Sequence, residues 1–144
     1  IKLGVQASSD HIATHDAYAC VLVEDKEEIG RQDLIDAMKA RHTYAATDNI
    51  IVDFRIGDHI MGDAFRTSEQ PVLKVIAKGT RALSRIVVIK NNELIYTYEA
   101  GEQEAEFEFR DENAKPGESY YYVRVEQSDG SLAWASPIWV DYAR

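Results

Sequence analysis

Glu106-Phe107-Glu108-Phe109-Arg110 alternates charged and apolar side chains without interruption. Successive side chains of an extended chain point to opposite faces, so this stretch predicts a strand with two phenylalanines on a core and its acids in water. Residues 119–127 (SYYYVRVEQ) repeat the pattern. Their alternation places Tyr121, Val123 and Val125 inward, with Tyr120, Tyr122, Arg124 and Glu126 on the other face. Residues 85–90 (RIVVIK) and 94–98 (LIYTY) flank Asn91-Asn92-Glu93. That is a hairpin signal, because Asn tolerates positive φ. Residues 51–56 and 72–78 are two further strand-like runs. Pro116-Gly117 and Asp129-Gly130 mark turns, the second leading into residues 132–135. Pro137 then sets off Ile138-Trp139-Val140, which suits an edge or a switch between sheets. About seven or eight short strands with frequent turns predict a mainly β fold, an immunoglobulin-like or fibronectin-type antiparallel β-sandwich.

Before residue 50 the texture differs. Residues 3–7 read as a short buried strand and residues 17–23 (AYACVLV) as a second apolar run of strand length. Residues 31–41 predict a helix with Leu34, Ile35 and Met38 on one face. Strand, loop, strand and helix cannot enclose a core alone. The expected division is therefore residues 1–50, a partial α/β segment lacking its partners, and residues 51–144, the β-sandwich.

The chain has 144 residues, 45% hydrophobic and 28% charged, and begins at Ile1 rather than Met, which suggests a piece of a larger protein. No apolar run approaches the ~20 residues of a membrane span. The net charge of −9 argues against a nucleic-acid partner, since phosphate binding depends on clustered Lys and Arg. A single cysteine, Cys20, excludes an internal disulfide and suits either the cytosol or an exported bacterial protein without disulfides. It lies in an apolar run without an adjacent base, the setting of a small packing residue rather than a nucleophile.

Chemistry concentrates in Asp10-His11-Ile12-Ala13-Thr14-His15-Asp16. This follows an apolar run, where α/β folds place functional groups. An extended Asp-x-His would aim both ligands at one ion, but Asp10 and His11 are adjacent and diverge unless the backbone turns. In a helix, His11 and His15 would converge, although Ile12 stands where a zinc-protease helix has Glu. The bland alternative is a loop turned by Asp10 with two ordinary histidines. Asp58, His59 and Asp63 form a weaker candidate set in a Gly-bracketed stretch that reads first as a turn. His42 reads as structural. Tyr120, Tyr121, Tyr122, Trp134 and Trp139 invite a carbohydrate-binding reading, against ordinary roles for aromatics in a sandwich.

Gly4-Val5-Gln6-Ala7-Ser8-Ser9-Asp10-His11 resembles the last metal-ligand motif of the PHP (polymerase and histidinol phosphatase) family of metal-dependent hydrolases. Residues 31–47, with Ala-Arg-His-Thr-Tyr-Ala at positions 40–45, resemble that family's closing helix and the segment after it. The resemblance covers roughly the first 50 residues and is nearest to bacterial PHP-like proteins with an added β domain. It implies a distorted (β/α)₇ barrel whose divalent ions (Mn, Zn or Fe) activate water for attack on a small phosphate ester. On that reading Asp10 and His11 are late-motif ligands and His15 is in reserve, because the family's Asp-x-His spacing is not matched. The family's early His-x-His pair has no counterpart here. The chain alone is accordingly expected to be inactive, its main partner being the missing amino-terminal part of its own protein. The other expectation is a non-catalytic β-sandwich that binds a partner or a carbohydrate.

Overall fold

The computed structural model describes residues 1–9, 16–23 and 25–143. Twelve strands and one helix occur among them. In chain order these are β1 (Tyr18–Val21), α1 (Arg31–Lys39), β2 (Thr43–Ala46), β3 (Ile51–Ile56), β4 (His59–Ile60), β5 (Ala64–Thr67) and β6 (Val72–Lys78). There follow β7 (Leu83–Lys90), β8 (Glu93–Glu99), β9 (Glu104–Arg110), β10 (Gly117–Gln127), β11 (Leu132–Ala135) and β12 (Ile138–Tyr142). The fold is mainly β.

Two sheets share one core. The smaller runs β4-β3-β6-β9, with every pairing antiparallel. Its inward residues include Val52, Phe54, Leu73, Val75 and Phe107, and they join one apolar cluster with Ile86, Val88, Tyr121, Val123 and Val125 of the larger sheet. The alternation expected along β9 and β10 is observed. Phe107, Tyr121, Val123 and Val125 are buried, while Glu104, Glu106 and Glu108 stay exposed. Lys74 and Lys78 of β6 pair with Glu106 and Glu104 at 2.9 and 2.5 Å. These surface pairs favour the register but contribute little to stability.

The larger sheet is organised about β10. Residues 121–127 of β10 pair with β7. On the opposite side, Arg124 to Glu126 pair with β11 and Gly117 to Tyr121 with β12. Strands β11 and β12 thus lie end to end along one flank of β10, interrupted at Ser136-Pro137. Pro137 does act as a switch, but within one sheet and not between sheets: β11 continues to β2 and β1, whereas β12 continues to β5. The β12–β5 pairing is parallel, so the expected all-antiparallel arrangement is corrected at that edge. A long connection from β5 to β12 permits a parallel neighbour, as a tight hairpin could not.

Both β1 and β2 precede residue 50, and both belong to this larger sheet. Tyr44 and Ala46 enter the same core as the later strands. The expected division at residue 50 falls at a crossing from the larger sheet to the smaller.

Residues 3–7 do not form the buried strand expected of them. The segment is outside regular structure, and Leu3 is 71% exposed. The Val5 amide and carbonyl are bonded to the side chains of Ser136 and Thr43 rather than to a strand backbone. The helix does form. Asp33 accepts from the Gly30 amide at 2.8 Å at its start. Its end is a Schellman turn in which His42 N donates to Ala37 O and Arg41 N to Met38 O. Arg41 takes the left-handed conformation, φ 66°, where Gly is usual.

Asn91 and Asn92 close the β7–β8 hairpin with φ of 50° and 67°. Both values suit the mirror-image turn that matches strand twist. Asn92→Val is expected to lower stability by about 1–2 kcal/mol, because a β-branched residue is strained there. Asn92→Gly should be nearly neutral. Urea denaturation of the two variants checks the contrast.

Candidate functional site at the junction of segment and sheets

The break between β11 and β12 is where four parts of the chain meet: residues 1–5, the end of α1, the loop after β4, and Ser136-Pro137. The left-handed turn of Arg41 brings it over this point. Its Nε donates to Gly62 O at 3.1 Å, and its guanidinium carbon lies 5.6 Å from the Trp139 ring centroid. Lys2 Nζ lies 5.8 Å from the same ring and 3.2 Å from Glu118 Oε2. Gly62 has φ 98°, and a Cβ there would fall on the Arg41 carbonyl. The close approach of the two backbones therefore demands glycine.

Beside it, Asp63 ties the helix end to the loop. Its Oδ1 accepts from His42 Nε2 at 2.9 Å, and its Oδ2 accepts from the Ile60 amide at 2.9 Å. His59 Nδ1 lies 3.8 Å from that second oxygen, and the His59 ring stacks on Phe65 with centroids 3.8 Å apart. Asp63 is thus already engaged at both oxygens. The stretch 57–63 is the turn expected first, built as a β3–β4 hairpin with Gly57 at φ 59°. Among the described residues, no three His, Cys, Asp or Glu side chains are grouped to hold a metal ion. Asp10, His11 and His15, the metal candidates, lie outside the described residues.

The third element is hydroxyl chemistry. Thr43 Oγ1 donates to Val5 O at 2.7 Å, Val5 N donates to Ser136 Oγ at 2.8 Å, and the two hydroxyl oxygens are 3.2 Å apart. Thr43 is 5% exposed and Ser136 is fully buried. Neither residue stood out in the sequence. A hydroxyl gains a role here through a contact 38 or 131 residues away, which no local pattern encodes.

The other candidates are placed as follows. Cys20 is partly buried, packs against the core and is opposite Tyr44 in the β1–β2 register. Burial, together with the Cys20 thiol, pushes the Tyr44 phenol well above its ordinary range. Trp139 is buried beneath its two cations, while Trp134 and Tyr122 are half-buried. A cleft of about 460 Å³ separates residues 1–5 from Tyr120, Tyr122 and Trp139. A second, of about 290 Å³, opens between α1 and β1 beside Leu22, Asp36, Ala37 and His42. No helix among the described residues is long and apolar enough to cross a membrane.

The sequence is similar to uncharacterized chlamydial proteins. It is 33% identical to one from Chlamydia pneumoniae over 129 residues, 77% of this chain and 21% of the relative. A protein of Chlamydia trachomatis serovar D is 32% identical over 130 residues, again 77% of this chain and 21% of that protein. A Chlamydia muridarum protein matches at the same 32%. The chain thus spans about a fifth of the length of the curated relatives it matches. No family model matches the sequence, and no solved structure matches it.

Proposed function

We propose that this chain is part of a PHP-type, metal-dependent phosphoesterase-like protein. In it an immunoglobulin-like sandwich, formed by the two sheets, takes β1 and β2 from the same first 50 residues that carry the resemblance, and does not catalyse alone. The observation that carries this reading is the distribution of exposed apolar side chains. Of the eight large hydrophobics exposed among the described residues, five are Ile1, Leu3, Ile29, Leu34 and Met38. The sheets bury their own core, with Cys20 and Leu22 packed against it, yet residues 1–3 and the outer face of α1 leave large apolar side chains in water. Scattered apolar residues on a surface are ordinary, so the weight rests on α1, whose Leu34 and Met38 are exposed on one helix face. Helix α1 buries only Ala37, so Leu34 and Met38 await another layer.

The length of the relatives supports a further body of chain against which those residues pack. The Ser9-Asp10-His11 resemblance supplies the chemical class, and the acidic chain with its free helix face suits a missing intramolecular partner better than a nucleic acid.

The test is a phosphate-ester hydrolysis assay on the longer protein, loaded with Mn²⁺ or Zn²⁺. Asp10→Ala and His11→Ala should each reduce activity by more than the roughly 10–100-fold that even outer-shell partners of a metal cost. His15→Ala separates the reserve ligand from His11. Hydrolysis that survives both substitutions unchanged removes the ligand assignment.

A further inference from the structure

We infer that Thr43 and Ser136 are positioning residues, a two-hydroxyl latch that fixes the Gly4-Val5 backbone, and with it the segment entering Ser9-Asp10-His11, to the sheets. The latch itself stands on geometry. Its consequence for a metal site rests on the PHP-type reading proposed above.

The direction of each hydrogen bond follows from donor counting. Val5 N–H donates to Ser136 Oγ, and Thr43 Oγ1–H donates to Val5 O. The Thr43 proton being committed, the 3.2 Å contact between the hydroxyls must be Ser136 donating to Thr43. The result is a closed ring running Val5 N–H to Ser136, Ser136 to Thr43, and Thr43 to Val5 C=O. Each hydroxyl donates once and accepts once. Together they offer Val5 one acceptor and one donor, which is what a neighbouring strand residue would offer in a ladder. The latch therefore substitutes for a strand at a position where none lies.

Register is set by Gly4. A Cβ at this position would lie 2.9 Å from Arg41 Cβ and 3.1 Å from Ser136 Oγ. Only glycine passes there, so sliding the segment by one residue would drive Leu3 or Val5 against Arg41. The unusual left-handed Arg41 is what places that Cβ in the way. Both hydroxyls come from the larger sheet and its connection: Thr43 opens β2, and Ser136 sits at the β11–β12 break, where its own amide donates to Thr43 O at 3.2 Å. The two-sheet body thus dictates where the segment begins, five residues before Asp10.

Amide hydrogen exchange on this chain tests the latch, with Val123 and Val125 of β10 as internal reference. Ser136→Ala and Thr43→Val should each speed exchange at the Val5 amide about tenfold or more, the effect of losing one net hydrogen bond, while the β10 amides hold their rates. Thr43→Ser, which keeps the hydroxyl, should restore wild-type exchange. Gly4→Val, whose side chain would press on Arg41 and on Ser136 Oγ, should likewise release Val5 while both hydroxyls remain in the chain. Unchanged Val5 exchange in these variants, or a parallel rise at Val123 and Val125, overturns the latch. A second measurement, Mn²⁺ affinity of the longer protein by calorimetry, should fall roughly 10–100-fold in Ser136→Ala and Thr43→Val and recover in Thr43→Ser. Loosened Val5 with unaltered Mn²⁺ affinity would leave the latch standing and count against the PHP-type reading; a rigid Val5 in every variant would remove the latch whatever the metal does.

Discussion

Replacing Asp111 by alanine is expected to destabilise the fold by about 3–5 kcal/mol, the effect of breaking a buried ion pair from one side. Asp111 is 4% exposed and stands at the end of β9. Its Oδ2 receives Lys90 Nζ at 2.6 Å and Tyr121 OH at 2.7 Å, and its Oδ1 receives the Asn113 amide at 3.1 Å. Three segments thus converge on one carboxylate: β7 through Lys90, β10 through Tyr121, and the turn after β9. Alanine would leave the Lys90 ammonium, only 16% exposed as a side chain, without its counter-ion. Tyr121→Phe should cost less, about 1–2 kcal/mol, because Asp111 keeps Lys90 and Asn113. Thermal or urea unfolding of both variants gives the ranking; equal losses would contradict the central role of the carboxylate.

The same group sets an acid dependence. Burial alone would raise the Asp111 carboxyl, but Lys90, with Tyr121 and the Asn113 amide, outweighs it and brings it below the ordinary range. A carboxyl whose pKa is lower in the folded state binds fewer protons there than in the unfolded chain. Its contribution is complete above the unfolded value of about 3.9. It is lost as pH falls through the folded value. Wild type should therefore lose stability below about pH 4 more steeply than Asp111→Asn, which has no proton to gain at that site.

The sequence announced this end of the molecule only in part. The tyrosine pattern of β10 put Tyr121 inward, which is the geometry that lets its hydroxyl reach Asp111. The partner itself was hidden, because nothing local distinguishes Asp111 from the acids around it. Strands with period two were legible: residues 51–56 and 72–78 match β3 and β6 to the residue. Strand β2 was not, since all four of its residues are buried and a fully buried strand shows no alternation. Strand β5, four residues at an edge with a parallel neighbour, carries too little pattern to be read alone. Residues 3–7 erred the other way, their apolar character signalling burial that the described chain does not provide. At the candidate site, Asp63 and His42 are 21 residues apart and Thr43 and Ser136 are 93 apart. Pairings at such separations are set by sheet topology, so they become visible only once β11 and β12 are known to flank β10.

Phe54→Ala is the second large effect expected, again about 3–5 kcal/mol. Phe54 is fully buried in the middle of β3, paired with Val75 of β6 and clustered with residues of both sheets. Truncation would remove a whole ring from the interface between the layers, and the strands, held by ladders on their own sheets, could close the gap only partly. Ile51 begins the same strand but points outward, 58% exposed. Ile51→Ala should therefore change stability by no more than about 0.5 kcal/mol. The contrast tests architecture rather than hydrophobicity, because the two side chains differ in which face of one strand they occupy. If Phe54→Ala and Ile51→Ala were equally mild in urea unfolding, the smaller sheet would not be packed on the larger one. A shared core could not survive that result.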